Sequence, residues 1–249
     1  MKVRRLVRRV LSLCGTALII IVVYGALLAF PEPLFAHQYA YKNIRIYSRA
    51  AFDDRMKAEL DVVSQRLAAS ELNAPAMTHR VFVAGSPAWY AFFNGPYRGA
   101  MGRMYEFNHS VFVPQLDLAT RKVVHFDGRT APIAAILAHE MTHTLIQKKL
   151  GIIKVWRLPF WKKEGYAEYI GNPRTVPLAQ DVQMLNSLTC NVIPTDNGND
   201  VPRRYFEAAL LWRYLAEVRK LSFAEIMNDA VVREEVEAQM RAWAKQNKP

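Results

Sequence analysis

The sequence predicts an α+β fold behind a single N-terminal membrane-spanning helix. Three features predict it. An uncharged apolar run occupies residues 10–30, short alternating strand patterns crowd between residues 43 and 126, and apolar residues recur at helical spacing from 131 onward. The expected arrangement is a small mixed sheet over the helix at 131–149, then a mostly helical C-terminal part, with a cleft between them.

As a helix, residues 10–30 would span roughly 30 Å, the hydrocarbon thickness of a bilayer. Lys2, Arg4, Arg5, Arg8 and Arg9 precede the run, and no acid occurs before Glu32. Basic flanks stay on the cytoplasmic side. Residues 1–9 are therefore expected to be a cytoplasmic tail, 10–30 a transmembrane signal anchor, and the remainder extracytoplasmic, which in a bacterium means periplasmic. A cleaved signal has an apolar core of about 7–15 residues. This run is longer, and the Pro31-Glu32-Pro33-Leu34-Phe35-Ala36 that follows is a poor cleavage site. Residues 31–42 read as a juxtamembrane linker, with Phe35, Tyr39 and Tyr41 suited to the outer interface. Residues 43–249 then form one folded domain.

Composition narrows the class. Hydrophobic residues make up 51% and aromatics 11%, which excludes a disordered chain. The net charge is +11, but the N-terminal tail supplies five of those charges and about +6 remains on the domain. That remainder is scattered, with short clusters at Lys148-Lys149, Lys162-Lys163 and Arg203-Arg204, and reads as solvated surface. No continuous basic face or nucleic-acid motif is present, so nucleic acid is not an expected partner. Cys14 lies in the apolar run and Cys190 in the domain, so no disulfide framework is expected.

Along the domain, residues 43–48 (NIRIYS) alternate as a strand, and Phe52, Met56, Leu60, Val63 and Leu67 mark a helix over 52–70. Residues 79–84 (HRVFVA) read as a second strand. Ser86-Pro87 suits an N-cap and first turn for a short helix ending near Gly95, whose Trp89, Tyr90, Phe92 and Phe93 read as core. Gly95, Gly99 and Gly102 mark an irregular loop. Residues 110–114 and 122–126 are further strands. Thr130 is the expected cap of a helix running from Ala131 to Lys149, stopped by Gly151. A return helix should span 161–170. Residues 171–202, with four prolines and little periodicity, read as a long loop. An apolar helix over 203–218, a capping box at Ser222 and Glu225, and a charged helix complete the chain.

The chemistry concentrates at His139-Glu140-Met141-Thr142-His143. Residues four apart share a helix face, so His139 and His143 can present two imidazoles to one point. Zinc accepts imidazole nitrogen at about 2.0–2.1 Å, and two such donors one turn apart fit its tetrahedral preference. Glu140 is turned about 100° from His139, placed to miss a metal and act on water beside it. A second acidic motif follows, Trp161-Lys162-Lys163-Glu164-Gly165-Tyr166-Ala167-Glu168-Tyr169. The intervening residues let one helix finish, turn through Leu158-Pro159 and return. Glu164 can then be a third ligand, Gly165 suits close packing of the two helices, and Glu168, one turn on, can accept from the far nitrogen of a ligating histidine.

HEMTH followed by WKKEGYAEY resembles the gluzincin group of zinc metallopeptidases, whose third ligand is a glutamate on a following helix. The W-x-x-E-G-x-A-E-Y form is similar to its peptidase-MA-like members, and its thermolysin branch has an acidic residue at the position of Glu168. The resemblance covers residues 131–170. It implies a zincin-like domain and peptide-bond hydrolysis of a peptide or protein substrate. The implied site is Zn2+ on His139, His143 and Glu164, Glu140 as general base and Glu168 behind the ligands. It further implies a tyrosine or histidine that stabilises the oxyanion. Tyr205, Tyr214, Tyr169 and His109 are the candidates, and the sequence leaves the choice open. A metzincin is excluded, because Ile146 stands where that group needs glycine. The charged residues bounding the HEMTH helix also leave too short an apolar run for an intramembrane protease. The competing expectation is a membrane-tethered, zinc-binding scaffold or maturation factor without turnover, against which the intact Glu140 argues.

Overall fold

The computed structural model describes residues 2–195 and 200–247. Helix α1 (Lys2–Ala29) contains the apolar stretch Leu11–Ala29, which has the length and composition to cross a membrane and no buried residue. The chain then enters a five-stranded sheet through β1 (His37–Tyr41) and β2 (Ile44–Ser48), an antiparallel hairpin closed by Lys42 and Asn43. The sheet thus begins inside the stretch read as a linker. β1 is an edge strand that buries no residue, so its sequence carries no apolar alternation to announce it.

Helix α2 (Arg55–Ala68) crosses to β3 (His79–Val83), parallel to β2, and places Met56, Leu60, Val63 and Leu67 in the core as its periodicity predicts. Helix α3 (Pro87–Asn94) follows, with the Ser86 side chain accepting from the Trp89 backbone N–H. β4 (Arg103–Met104) and β5 (Ser110–Val113) complete the sheet in the order β1-β2-β3-β5-β4, with parallel inner pairs and antiparallel outer ones. Alternation divides its faces. Ile44, Ile46, Val81, Val111 and Val113 join the main core with residues of α2 and of the next long helix, while Phe82 and Phe112 form a separate cluster with Phe93.

A small antiparallel meander comes next: β6 (Leu116–Asp117), β7 (Lys122–Val124) and β8 (Thr130–Pro132). It corrects the expected helix start. Thr130 pairs with Val124 instead of capping, and α4 (Ile133–Leu150) begins after Pro132 without a side-chain cap. Pro132 supplies a helix-compatible φ of −57°, and the Ile133 N–H donates to the Arg121 carbonyl, so the meander satisfies one of the helix's unpaired donors.

A short helix α5 (Ile152–Arg157) precedes α6 (Phe160–Gly171), which enters from Pro159. The expected loop over 171–202 holds α7 (Leu178–Ser187) and a hairpin of β9 (Val192–Pro194) and β10 (Asp200–Pro202). The amphipathic pattern of α7 is obscured because Asp181 is on its buried side, held by Arg174 at 2.5 Å and Arg213 at 2.7 Å. Helix α8 (Arg203–Arg213) widens into a π turn at Tyr214–Val218, and α9 (Phe223–Ile226) has the predicted Ser222/Glu225 capping box. Helix α10 (Arg233–Gln246) ends the described chain. The whole is a mixed α+β fold with one apolar N-terminal helix and a mostly helical second half.

Candidate metal centre

Helix α4 is buried on nearly every side. It packs on α2, on the sheet and on α6, and this enclosure fixes its rotation so that His139 and His143 face α6. Two glycines set how closely α6 is packed. A Cβ at Gly171 would meet the backbone N and Cα of His139 at 2.8 Å, so this residue lets the C-terminal turn of α6 rest on α4. A Cβ at Gly165 would instead clash with Trp212 Cδ1 and meet the Ala208 carbonyl at 2.6 Å. Gly165 therefore serves close packing on α8 rather than on the histidine helix, a correction to the sequence expectation. The Trp212 Nε1–H donates to the Lys162 carbonyl at 2.8 Å and holds the same contact.

The docking of α6 brings three donor atoms together. His143 Nε2 stands 3.1 Å from His139 Nε2 and 3.1 Å from Glu164 Oε2, and His139 Nε2 stands 3.3 Å from that oxygen. Ligands bound tetrahedrally at about 2.0–2.1 Å lie about 3.3 Å from one another, so the triangle has the size such a cation requires. Among the described residues, His139, His143 and Glu164 form the one such group able to hold a metal ion. Each keeps 12% of its side-chain surface exposed, so a cation and one further small ligand can reach them.

Glu168 lies behind the triangle. Its Oε2 is 3.1 Å from His139 Nδ1, while Asn172 Nδ2 donates to its Oε1 at 2.8 Å. This fixes which nitrogen of His139 faces the site. Arg66, from α2, donates to the Gly171 carbonyl and ties down the end of α6. Asn172 and Arg66 had no signal in the sequence, because both act across helices far apart in the chain.

The electrostatics favour a cation. Burial opposes protonation of His139, but Glu164 and Glu168 at its two ring nitrogens overcome it and hold its pKa well above the usual imidazole value. Glu164 is likewise buried, yet His143 and His139 hold its pKa well below the usual carboxylate range. The carboxylates that stabilise a proton on His139 would likewise stabilise a metal cation in that proton's place.

Glu140 is held elsewhere. The Met104 backbone N–H donates to its carboxylate, and a Cβ at Gly102 would meet its Cγ at 2.9 Å. Edge strand β4 thus clamps Glu140 beside the triangle. Burial raises its pKa against the opposing pull of His139 and His143, making it a better proton acceptor at neutral pH than an exposed glutamate.

Of the four oxyanion candidates, only Tyr205 reaches the site. Its ring is 6.2 Å from that of His139 and 5.1 Å from Phe160, and burial together with the Glu164 charge pushes its phenol to about 12, so it stays a donor. Tyr214 packs on Trp243, and Tyr169 lines a separate hollow with Glu71 and Lys220. His109 stands beside the charges of Lys148 and Arg80. The aromatic set on α3 is mostly core: Phe93 and Tyr90 are buried, and the Tyr90 hydroxyl donates to the Ala100 carbonyl at 2.6 Å. The basic pair Lys162-Lys163 is split, since Lys162 is buried and donates to the Asn228 carbonyl at 2.6 Å.

Comparison with known protein families finds none whose pattern matches this chain, and no curated protein is similar to it.

Proposed function

We propose that the protein is a membrane-anchored zinc metallopeptidase with a zincin-like domain outside the cytoplasm. The observation that carries this reading is the pairing of two features. A His139–His143–Glu164 triangle of tetrahedral size stands beside a carboxylate, Glu140, that the edge strand holds apart from it. Two imidazoles and one carboxylate select zinc over the hard cations, which prefer all-oxygen sites. Zinc held there would supply a Lewis acid that polarises a carbonyl and acidifies water.

The chain's own groups supply the rest. Glu140 accepts the proton of the attacking water and passes it to the departing amine nitrogen. Tyr205 donates a hydrogen bond to the oxygen of the carbonyl under attack. Glu168 keeps the His139 ring oriented, and Asn172 keeps Glu168 in place. The five basic residues at the start of α1, ahead of its apolar stretch, support an N-terminus in the cytoplasm.

A zinc-binding scaffold without turnover is the second reading, and Glu140 disfavours it, because a scaffold has no use for a buried base beside its metal. The test is a paired assay on the full-length protein: zinc content, and cleavage of unfolded casein with and without chelator. About one zinc per chain is expected, with cleavage lost on chelation and restored by zinc, and Glu164→Ala should abolish both binding and cleavage. Zinc without cleavage would leave the scaffold. Cleavage indifferent to chelator would remove the metal from the mechanism.

A further inference from the structure

The C-terminal end of α1 is fastened to one side of the domain. Asn108 Nδ2 donates to the carbonyls of Leu28 and Ala29 at 2.8 and 3.0 Å, and the Tyr24 hydroxyl donates to the Phe92 carbonyl at 2.6 Å. Glu32 and Arg80 pair at 2.5 Å, and Arg80 also donates to the Asn108 carbonyl. If α1 crosses a bilayer, the turn around Asn108 therefore sits where α1 leaves it. Tyr24 lies five residues before Ala29, about 8 Å down the helix, so the domain meets α1 within its apolar stretch.

Next to Asn108, Phe107 is 82% exposed. Gln147, in the last turn of α4, donates to the Glu106 carbonyl, so the end of α4 abuts this same turn and α5 emerges beside it. On α5, Ile153 and Trp156 are 63% and 62% exposed, while Val155 between them is buried. Three residues apart, they share a face. Lys148, Lys149, Lys154 and Arg157 are exposed around them, and no acid occurs from Met141 to Lys163. Isolated surface hydrophobics are ordinary. Here an exposed phenylalanine on one side of the Gln147–Glu106 contact, and an isoleucine and a tryptophan with four cations on the other, flank the end of an apolar helix, the composition of a surface that lies in a lipid interface.

We propose that Phe107, Ile153 and Trp156 form a second membrane contact, seated in the leaflet from which α1 emerges, with Lys148, Lys149, Lys154 and Arg157 on anionic lipid headgroups. The domain then lies against the bilayer in one orientation instead of swinging on a tether. This rests on α1 being a membrane span, but not on the peptidase reading.

The test uses the full chain carrying Cys14→Ser and Cys190→Ser, reconstituted in vesicles of mixed zwitterionic and anionic phospholipid. Single spin labels are attached through Phe107→Cys, Ile153→Cys, Trp156→Cys, Leu18→Cys in α1, and Val232→Cys ahead of α10. Collision with oxygen, which concentrates in lipid, is compared with collision with a water-soluble nickel chelate. Labels at 18, 107, 153 and 156 should favour oxygen, and the label at 232 should favour nickel. In purely zwitterionic vesicles the labels at 153 and 156 should shift toward nickel while the one at 18 does not. If 153 and 156 match 232 while 18 stays in lipid, the second contact is overturned and the anchor stands. A nickel-accessible label at 18 overturns both, and unchanged immersion of 153 and 156 without anionic lipid overturns the headgroup pairing.

Discussion

On one face of the five-stranded sheet, Ile44, Ile46, Val81, Val111 and Val113 join a core with α2 and α4. On the other, Tyr47, Phe82 and Phe112 stand in register across β2, β3 and β5, with ring centroids 4.8 and 5.1 Å apart, and α3 and Phe35 close over them. The aliphatic face carries the helix that bears the histidines, whereas the aromatic face receives the chain arriving from α1. Adjacent residues such as Val81 and Phe82 serve the two sides separately. On the proposed reading the sheet is a partition between anchoring and chemistry, and changes on either side should be separable.

The largest expected effect lies on the chemical side. Glu140→Gln removes the proton acceptor and should lower peptidase turnover by about 10²–10⁴. Zinc content and thermal stability should hold, because no donor of the triangle is touched. Wild-type turnover in the zinc-loaded variant would discard the mechanism and promote the scaffold.

On the anchoring side, Phe112→Ala should cost about 3–5 kcal/mol of folding stability by opening a cavity in the ring stack. Denaturant unfolding would measure the loss. Metal affinity of the folded variant should match wild type, and a parallel fall in affinity would mean that the partition leaks.

A third effect comes from His79 at the start of β3, which is 2% exposed and has an Nδ1 with no partner among the described residues. Burial, aided by His109, lowers its pKa to about 4. The unfolded imidazole titrates near 6.5, so between those values the unfolded chain binds a proton that the native chain refuses. Its contribution to stability is therefore complete above about pH 6.5 and falls by roughly 3 kcal/mol as the pH drops to 4. His79→Leu should remove that part of the acid sensitivity. An unchanged pH profile of unfolding would show that His79 takes up its proton equally in the folded and unfolded chains.

The smallest effect sharpens the site itself. Glu168→Gln keeps the shape but loosens the grip on His139 Nδ1, and metal affinity should fall by about 10–100-fold. Competition with a chromophoric chelator would read it. Folding stability without metal should change little, which distinguishes an orienting residue from a structural one.

Much of the site was legible because its parts are local. The spacing of His139 and His143 places both on one face of any helix that contains them, and Glu164 and Glu168 follow the same rule on α6. Strand β2 and helix α2 were legible for a similar reason, each having one face buried and one not, while β3 and β5, buried on both faces, were legible as short apolar runs of β-branched and aromatic residues. β1 was not, since an edge strand buries no residue, and α7 was not, since its inward Asp181 is neutralised by Arg174 and Arg213 from other segments.

The sequence by itself determined an apolar helix able to span a bilayer, the phase of the candidate ligands on their helices, and the α+β class. These depend on intervals of two to about twenty residues, which backbone geometry translates directly into faces and lengths. Only the tertiary structure decided that Gly171, not Gly165, lets α6 rest against His139, and that Tyr205 alone of four candidates borders the site. It also decided that Thr130 pairs in a sheet rather than capping α4. Each of these depends on which surface meets which across the chain, and a periodic pattern identifies the buried face of an element without naming its partner.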